Sequence, residues 1–300
     1  MELAILGMGR MGKGIALRLK SKGHKVVCYN RSTDVFPELQ QAGCITTNDA
    51  HTIKNSLQSP RVVWIMLPSG AVTEEFFTLM LNELSFGDII IDGGNSHYTK
   101  TLEKAARAKE KKIQFIDVGV SGGLGGAHNG YCTMVGGEQK IVEHCESIFK
   151  DMSMEGGYAY MGPSGSGHYV KMVHNAIEYA QMQAIGEGFD VLANGHYKGQ
   201  LDFPKIAKLW NHGSIIRGYL MECTEDALTK DPNLDQITDF IEDNGEGKWT
   251  VQEALDHDVP FLSGAHAVFS RYISRQKESF AYKIVAAQRN EFGGHKVMKK

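Results

Sequence analysis

Leu3-Ala-Ile-Leu6-Gly7-Met-Gly9-Arg-Met-Gly12 decides the fold. Four apolar residues run into a Gly-x-Gly-x-x-Gly turn. A helical pattern follows, with Ile15, Leu17 and Leu19 set among Lys and Arg and a stop near Gly23. Such a stretch reads as strand, tight turn and helix. Lys25-Val-Val-Cys-Tyr29 then reads as a second strand. Further out the cadence repeats. Arg61–Leu67, Asp88–Asp92 and Ile113–Val118 read as buried strands, with helical stretches over 72–84 and 99–111; Cys132–Val135 and Tyr158–Tyr160 are weaker strands. Apolar strands alternating with amphipathic helices predict a parallel sheet covered on both faces.

After Gly162 the alternation stops. One long helix is expected over 167–194, and helical patterns cover 203–210, 214–229, 233–243, 250–257 and 263–290. The fold class is therefore α/β, a Rossmann-type doubly wound parallel sheet, followed by an all-α domain. The expected domains are 1–164 and 165–300, divided within Gly162-Pro-Ser-Gly-Ser-Gly167. Three hundred residues suit two domains at about 150 residues each.

Composition narrows the function classes. Lys and Arg number 32 against 35 Asp and Glu, a net charge of −3, so the basic excess of a nucleic-acid binder is missing. The five cysteines (Cys28, Cys44, Cys132, Cys145, Cys223) are odd in number, widely spaced and form no Cys-x-x-Cys, which signals neither a disulfide framework nor a structural zinc. A reduced, cytoplasmic chain is the economical expectation. No apolar run approaches the ~20 residues that cross a bilayer, so no membrane partner is expected.

Gly7, Gly9, Met11 and Gly12 lie in the fingerprint. Its glycines permit a tight turn and let the backbone approach a pyrophosphate at the helix N-terminus. The alternative is the same turn with no ligand. At the end of the second strand an Asp or Glu would bind the ribose of NAD; this chain has Asn30-Arg31-Ser32 instead. Arg31 suits a 2′-phosphate, so NADP is favoured over NAD. The alternative places Arg31 over the adenine or in solvent.

Two polar segments follow the later strands: Asp92-Gly-Gly-Asn95-Ser96 and Gly119-Val-Ser121-Gly122-Gly123. Ligands of open parallel sheets bind there, beyond the carboxyl ends of the strands; ordinary strand-to-helix turns are the alternative. Along the long helix, Lys171, His174, Asn175 and Glu178 are spaced i, i+3, i+4 and i+7 and share one face. A base and an acid at that spacing can serve opposite ends of a substrate. A solvated face with a Lys–Glu pair is the plainer reading of one helix, but a nucleotide domain needs a second element carrying the chemistry. No His-Glu-x-x-His occurs, the histidines lack ligand spacing, and Phe240 stands where the first Asp of a calcium loop around Asp243-Asn-Gly245 belongs, so no metal is expected.

These segments resemble the short-form, decarboxylating 6-phosphogluconate dehydrogenases. The likeness runs through the fingerprint, Asp92–Ser96 and Val120–Gly123. It continues through Gly167-His-Tyr-Val-Lys171-Met-Val-His174-Asn175, Ile177-Glu178-Tyr179, Gly247-Lys-Trp-Thr250, Val268-Phe-Ser-Arg271 and Ala287-Gln-Arg289-Asn-Glu-Phe-Gly-Gly-His295. The resemblance implies that Lys171 is the general base at the carbon-3 hydroxyl and Glu178 the acid that protonates carbon 1 of the enediol left after loss of carbon dioxide. It implies that Asn95, Ser121, Gly122, Gly123, His174 and Asn175 hold the carboxylate and hydroxyls of 6-phosphogluconate, with Asn95 also beside the cofactor. Tyr179 and Arg271 would reach the phosphate. Arg289 and His295 match a tail that enters a neighbouring subunit's site, which implies a homodimer or higher homo-oligomer. Two departures stand out. Asn244 occupies a position where long forms often have Lys, and the helical domain is far shorter than theirs. Short forms also often use NAD, which weighs against the Arg31 argument. The nearest rival is a β-hydroxyacid dehydrogenase of the 3-hydroxyisobutyrate type, which needs neither Glu178 nor a phosphate grip. A nucleotide-sensing module without catalysis has no use for both Lys171 and Glu178.

Overall fold

A computed structural model describes residues 1–298. Packing separates the chain into two compact units, Met1–Asn175 and Ala176 onward.

The first unit is built on an eight-stranded sheet: β1 (Glu2–Leu6), β2 (Lys25–Tyr29), β3 (Ile45–Thr47), β4 (Val62–Ile65), β5 (Ile89–Asp92), β6 (Gln114–Ser121), β7 (Tyr131–Gly137) and β8 (Ser153–Gly162). Their order is β3-β2-β1-β4-β5-β6-β7-β8. Winding reverses between β1 and β4, and that reversal opens a crevice at the carboxyl ends of the strands. Leu3, Ile5, Val26, Cys28, Trp64 and Ile91 pack on one face; Ala4, Leu6, Val27, Val63, Ile65 and Ile90 pack on the other. Both faces being apolar, the strands read as continuous hydrophobic runs. Such runs cannot choose their own register. A buried ion pair helps fix it: the Asp88 carboxylate, before β5, accepts from Arg61 N–H at 2.7 Å and Arg61 Nη1 at 3.0 Å, before β4.

The sheet differs from the all-parallel expectation at one edge. β6 and β7 are antiparallel, and β8 runs parallel to β7. Only residues 122–130 separate β6 from β7, and a parallel return needs a crossover of a dozen residues or more. β3, unforeseen, is a three-residue edge strand beside β2, too short to show a pattern.

The long helix Ser166–Asn194 begins in the first unit and runs into the second. The sequence places the architectural change at 164/165, whereas packing assigns the helix up to Asn175 to the sheet. Glycines explain the difference. A Cβ at Gly167 would sit 2.7 Å from the Asp117 carbonyl oxygen, and one at Gly136 would sit 2.7 Å from Gly167 N. Glycine at both positions lets helix and strand backbones touch.

In the second unit the remaining helices are Phe203–Asn211, Tyr219–Lys230, Glu246–Asp256, Leu262–Ser274 and Phe280–Gly293, with no strand among the described residues. The helix expected over 233–243 is irregular chain. Asp231 carboxylate oxygens accept from Asp235 and Gln236 N–H at 3.2 and 2.9 Å, a local bond that competes with a helix. The stretch 263–290 is two helices, not one: Ser279 caps the second, its Oγ accepting from Tyr282 N–H. The last helix has no buried residue, and Phe280, Tyr282 and Phe292 are exposed on it.

Candidate active site

Gly7 ends β1 with φ +101°, and its N–H donates to Tyr29 O at 2.9 Å. A Cβ there would strike Met66 O, and one at Gly12 would strike Gly7 O, so both glycines are required by the turn itself. Gly9 differs. Its backbone (φ −66°, ψ −174°) suits any residue, and a Cβ there would meet nothing within 4 Å. Gly9 also begins the helix Arg10–Ser21 with no side-chain cap bond. Bare first-turn N–H groups beside a residue kept small for no internal reason fit a pyrophosphate. The Met11 side chain packs partly on the core. The Asn30 side chain is used internally: Oδ1 accepts from Met8 N–H at 3.1 Å, while Nδ2 donates to Ser32 O at 2.8 Å and Ser32 Oγ at 3.2 Å. It braces the turn that holds Arg31 and Ser32, both exposed.

Asn95 is exposed on the loop after β5. Beneath it, buried Asp92 accepts from Lys104 Nζ at 2.6 Å and from Gly94 N–H at 3.1 Å. This ion pair shapes the loop and was not legible in the sequence, because Lys104 lies on the next helix, Tyr98–Glu110.

Ser121 closes β6, with Gly122 and Gly123 after it at φ +123° and +54°. A Cβ at Gly119 would lie 3.0 Å from Lys171 Cγ, so the Lys171 stem lies directly on the end of β6. Lys171 is only 6% exposed, and its Nζ donates to Asn175 Oδ1 at 2.6 Å. The same oxygen lies 2.9 Å from His174 Nδ1, and His174 Nε2 lies 3.2 Å from Ser121 Oγ. An amide oxygen only accepts, so the Nδ1 facing it carries a proton. Four of the expected site residues thus form one connected cluster. Asp117, which sequence reading missed, holds the helix start. Its carboxylate accepts from Gly165 N–H at 2.6 Å and His168 N–H at 2.9 Å.

Within the second unit, the Tyr179 hydroxyl donates to Asn244 Oδ1 at 2.8 Å and accepts from Asn244 N–H at 3.2 Å. Asn244 Nδ2 in turn donates to Glu246, a buried carboxylate. Arg271 stacks on the Tyr179 ring, 3.6 Å from its centroid. Arg271 is 4% exposed, with Nη1 on Ala267 O at 3.2 Å and, among the described residues, no hydrogen-bond partner for Nε. Burial lowers the Arg271 pKa and raises that of the Tyr179 phenol. Arg289 and His295 are exposed at the end of the last helix. His295 N–H donates to Arg289 O at 3.3 Å across the αL Gly294 cap. Glu178 is half-buried, one residue before Tyr179.

A nucleotide-binding α/β unit, followed by helices that carry a buried lysine in a polar cluster, defines an oxidoreductase of the two-domain dehydrogenase class. Residues 2–162 match the NAD binding domain of 6-phosphogluconate dehydrogenase, and residues 167–291 match the C-terminal domain of 6-phosphogluconate dehydrogenase. The NAD(+)-dependent, decarboxylating 6-phosphogluconate dehydrogenase of Haloferax volcanii is 36% identical, over 100% of this chain and 99% of that one. The structure of Plasmodium falciparum 6-phosphogluconate dehydrogenase, described with NADP+ and with its substrate, superposes with a TM-score of 0.82 at 30% identity. It covers 100% of this chain, which spans 66% of the longer one. A Mycobacterium tuberculosis 3-hydroxyisobutyrate dehydrogenase shares the fold at 20% identity and a TM-score of 0.70, over 96% and 99% of the two chains. The chain belongs to the 6-phosphogluconate dehydrogenase family. No helix among the described residues is long and apolar enough to cross a membrane.

Proposed function

We propose that the chain oxidises 6-phosphogluconate and decarboxylates it to ribulose 5-phosphate and carbon dioxide, as a cytoplasmic step of the pentose phosphate pathway. The observation that carries this reading is the buried Lys171, joined through Asn175 and His174 to Ser121 at the end of β6. The bound dinucleotide supplies hydride acceptance. The fingerprint turn would hold its pyrophosphate, and Arg31 and Ser32 its 2′-phosphate where that is present, so NADP is favoured and NAD tolerated.

Lys171 Nζ takes the proton of the carbon-3 hydroxyl as that carbon is oxidised. A lysine serves as base only when neutral, and burial favours its neutral form. The ammonium so formed donates to the new keto oxygen while the carbon 1 to carbon 2 bond breaks. The β-keto acid delocalises the electrons left by carbon dioxide as an enediol, so no metal is called for. Glu178, two helical turns along, protonates the enediol carbon left by carbon dioxide, the former carbon 2, which becomes carbon 1 of ribulose 5-phosphate. Asn95, Ser121, Gly122, Gly123, His174 and Asn175 orient the carboxylate and hydroxyls. Tyr179 and Arg271 take the phosphate, where the unpartnered Arg271 Nε gains an anionic acceptor. That buried guanidinium favours a phosphosugar over a small hydroxyacid, which brings no second anion. Arg289 and His295 on the exposed last helix complete the phosphate grip in a neighbouring subunit, so the active species is a homodimer or larger.

Initial rates with 6-phosphogluconate and with 3-hydroxyisobutyrate, each with NADP and NAD, test the reading while carbon dioxide is trapped. Reduction with carbon dioxide released from the phosphosugar alone is expected. Turnover of the small acid alone would return Glu178 and Arg289 to structural roles.

A further inference from the structure

We propose that Asp117 is a positioning residue that sets the rotation of the long helix and so aims the Lys171 amine; this rests on the reading of Lys171 as base. Asp117 is fully buried, and the hydrogen-bond partners of its carboxylate among the described residues are backbone N–H groups. Its two oxygens are spent on the N–H groups of Gly165 and His168, 48 and 51 residues further on. A buried carboxylate is costly, and two charge-assisted bonds at a helix N-terminus are what offset it here. Gly165, where a capping side chain would sit, has none to offer, so the cap comes from the sheet instead.

Three contacts fix the helix in rotation as well as in place. The carboxylate grips two N–H groups on its first turn. The His168 ring lies 2.7 Å from Thr101 Oγ1 on the helix that follows the Asn95 loop. Gly119 admits the Lys171 stem against β6. His168 stands one turn before Lys171 and shares its face. With side chains about 5–6 Å from the helix axis, a 20° rotation moves a side-chain tip by about 2 Å. A displacement of about 1 Å at a reacting group already costs on the order of 100-fold in rate. Asp117 lies two residues before Gly119, on the strand that meets Lys171, and is placed to prevent that rotation.

Asp117→Asn keeps the shape but turns an amide N–H towards one of the two helix donors. Four forms of the full chain would be assayed: wild type, Asp117→Asn, Lys171→Ala and the double variant. The readouts are kcat and KM for 6-phosphogluconate and Kd for NADP. The expected result for Asp117→Asn is kcat lower by tenfold or more, with the NADP Kd within twofold of wild type. In the Lys171→Ala background the same change should alter residual turnover less than twofold, because no amine remains to be aimed. Unchanged kcat in Asp117→Asn, or an equal proportional loss in both backgrounds, overturns the proposal. Near-normal turnover of Lys171→Ala would instead remove the base assignment on which it rests. Should Asp117→Asn not fold, Thr101→Val cuts the tether to the His168 ring and leaves the carboxylate in place. A fall in kcat of about threefold at constant NADP Kd is then expected, and an unchanged kcat overturns the proposal.

Discussion

By helical spacing alone Lys171 is one of four polar residues on a face, and the family resemblance is what assigns it the role of base. Its burial and its 2.6 Å bond to Asn175 are what single it out. Lys171→Ala should leave NADP binding intact and lower kcat by about 10²–10⁴-fold, the usual range for a general base; fluorescence titration beside steady-state rates checks the split. Arg31→Ala should raise KM for NADP by about 10–100-fold, the worth of a charge-assisted bond of about 1.5–3 kcal/mol, and leave KM for NAD unchanged. Equal effects on the two cofactors would place Arg31 over the adenine. Asn30, expected at the cofactor, also binds within the chain, to Met8 N–H and to Ser32. Such a bond depends on the closeness of two loops, which spacing cannot show. Burial pushes the Cys145 thiol up to about 12, so at pH 8 it stays protonated. Iodoacetamide should not modify it in the native chain, as peptide mapping by mass would reveal.

At the scale of elements, the fingerprint separates glycines of structure from glycines of function. Gly12→Ala forces a Cβ into Gly7 O and should lower the melting temperature by several degrees. Gly9→Ala meets no heavy atom and should leave the melting temperature unchanged, yet weaken NADP binding tenfold or more. A parallel loss of stability in both variants would refute the distinction. The loop after β5 rests on the buried Asp92–Lys104 pair. Lys104→Met leaves that carboxylate without its cation and should cost about 3–5 kcal/mol, read from the urea midpoint. The strands β1, β2, β4, β5 and β6 were legible because they are short, apolar and bounded by turn residues. β3 was not, since its order comes from pairing with β2. The pattern over 233–243 looked helical and is not, because Asp231 binds the backbone locally and nothing packs to outweigh it.

Across the whole molecule, the two units differ in how well they satisfy themselves. The sheet has a full core on each face. The helical unit has a small core cluster, Tyr179, Ala267 and Val268 with Met182, Val251 and Tyr272 packed around them, and buries Ala207, Met221 and Leu228 outside it. Ile215, Leu262 and Phe280 are meanwhile 100%, 81% and 76% exposed. Apolar side chains this exposed are expected to be covered by a second copy of the chain. Sedimentation velocity should show a dimer or larger species, and specific activity should fall on dilution below its dissociation constant. A monomer with full activity at nanomolar concentration would contradict the shared phosphate grip. Arg289→Ala should raise KM for 6-phosphogluconate with little change in kcat, since it adds binding and takes no part in proton transfer.

The sequence alone determined the strand–helix alternation of the first half, the change to helices after it, the glycine fingerprint, the missing carboxylate after β2 and the polar face of the long helix. Each is a local pattern, written within a few turns or a few strand residues. Tertiary structure decided the rest. The antiparallel edge, the Asp117 grip on a helix 48 residues on, the Asp92–Lys104 pair and the Asn244 hold on Tyr179 all join residues distant in the chain. Periodicity reports which face of an element is apolar. It carries no record of which polar group on another element will stand 2.6 Å away once those faces are buried.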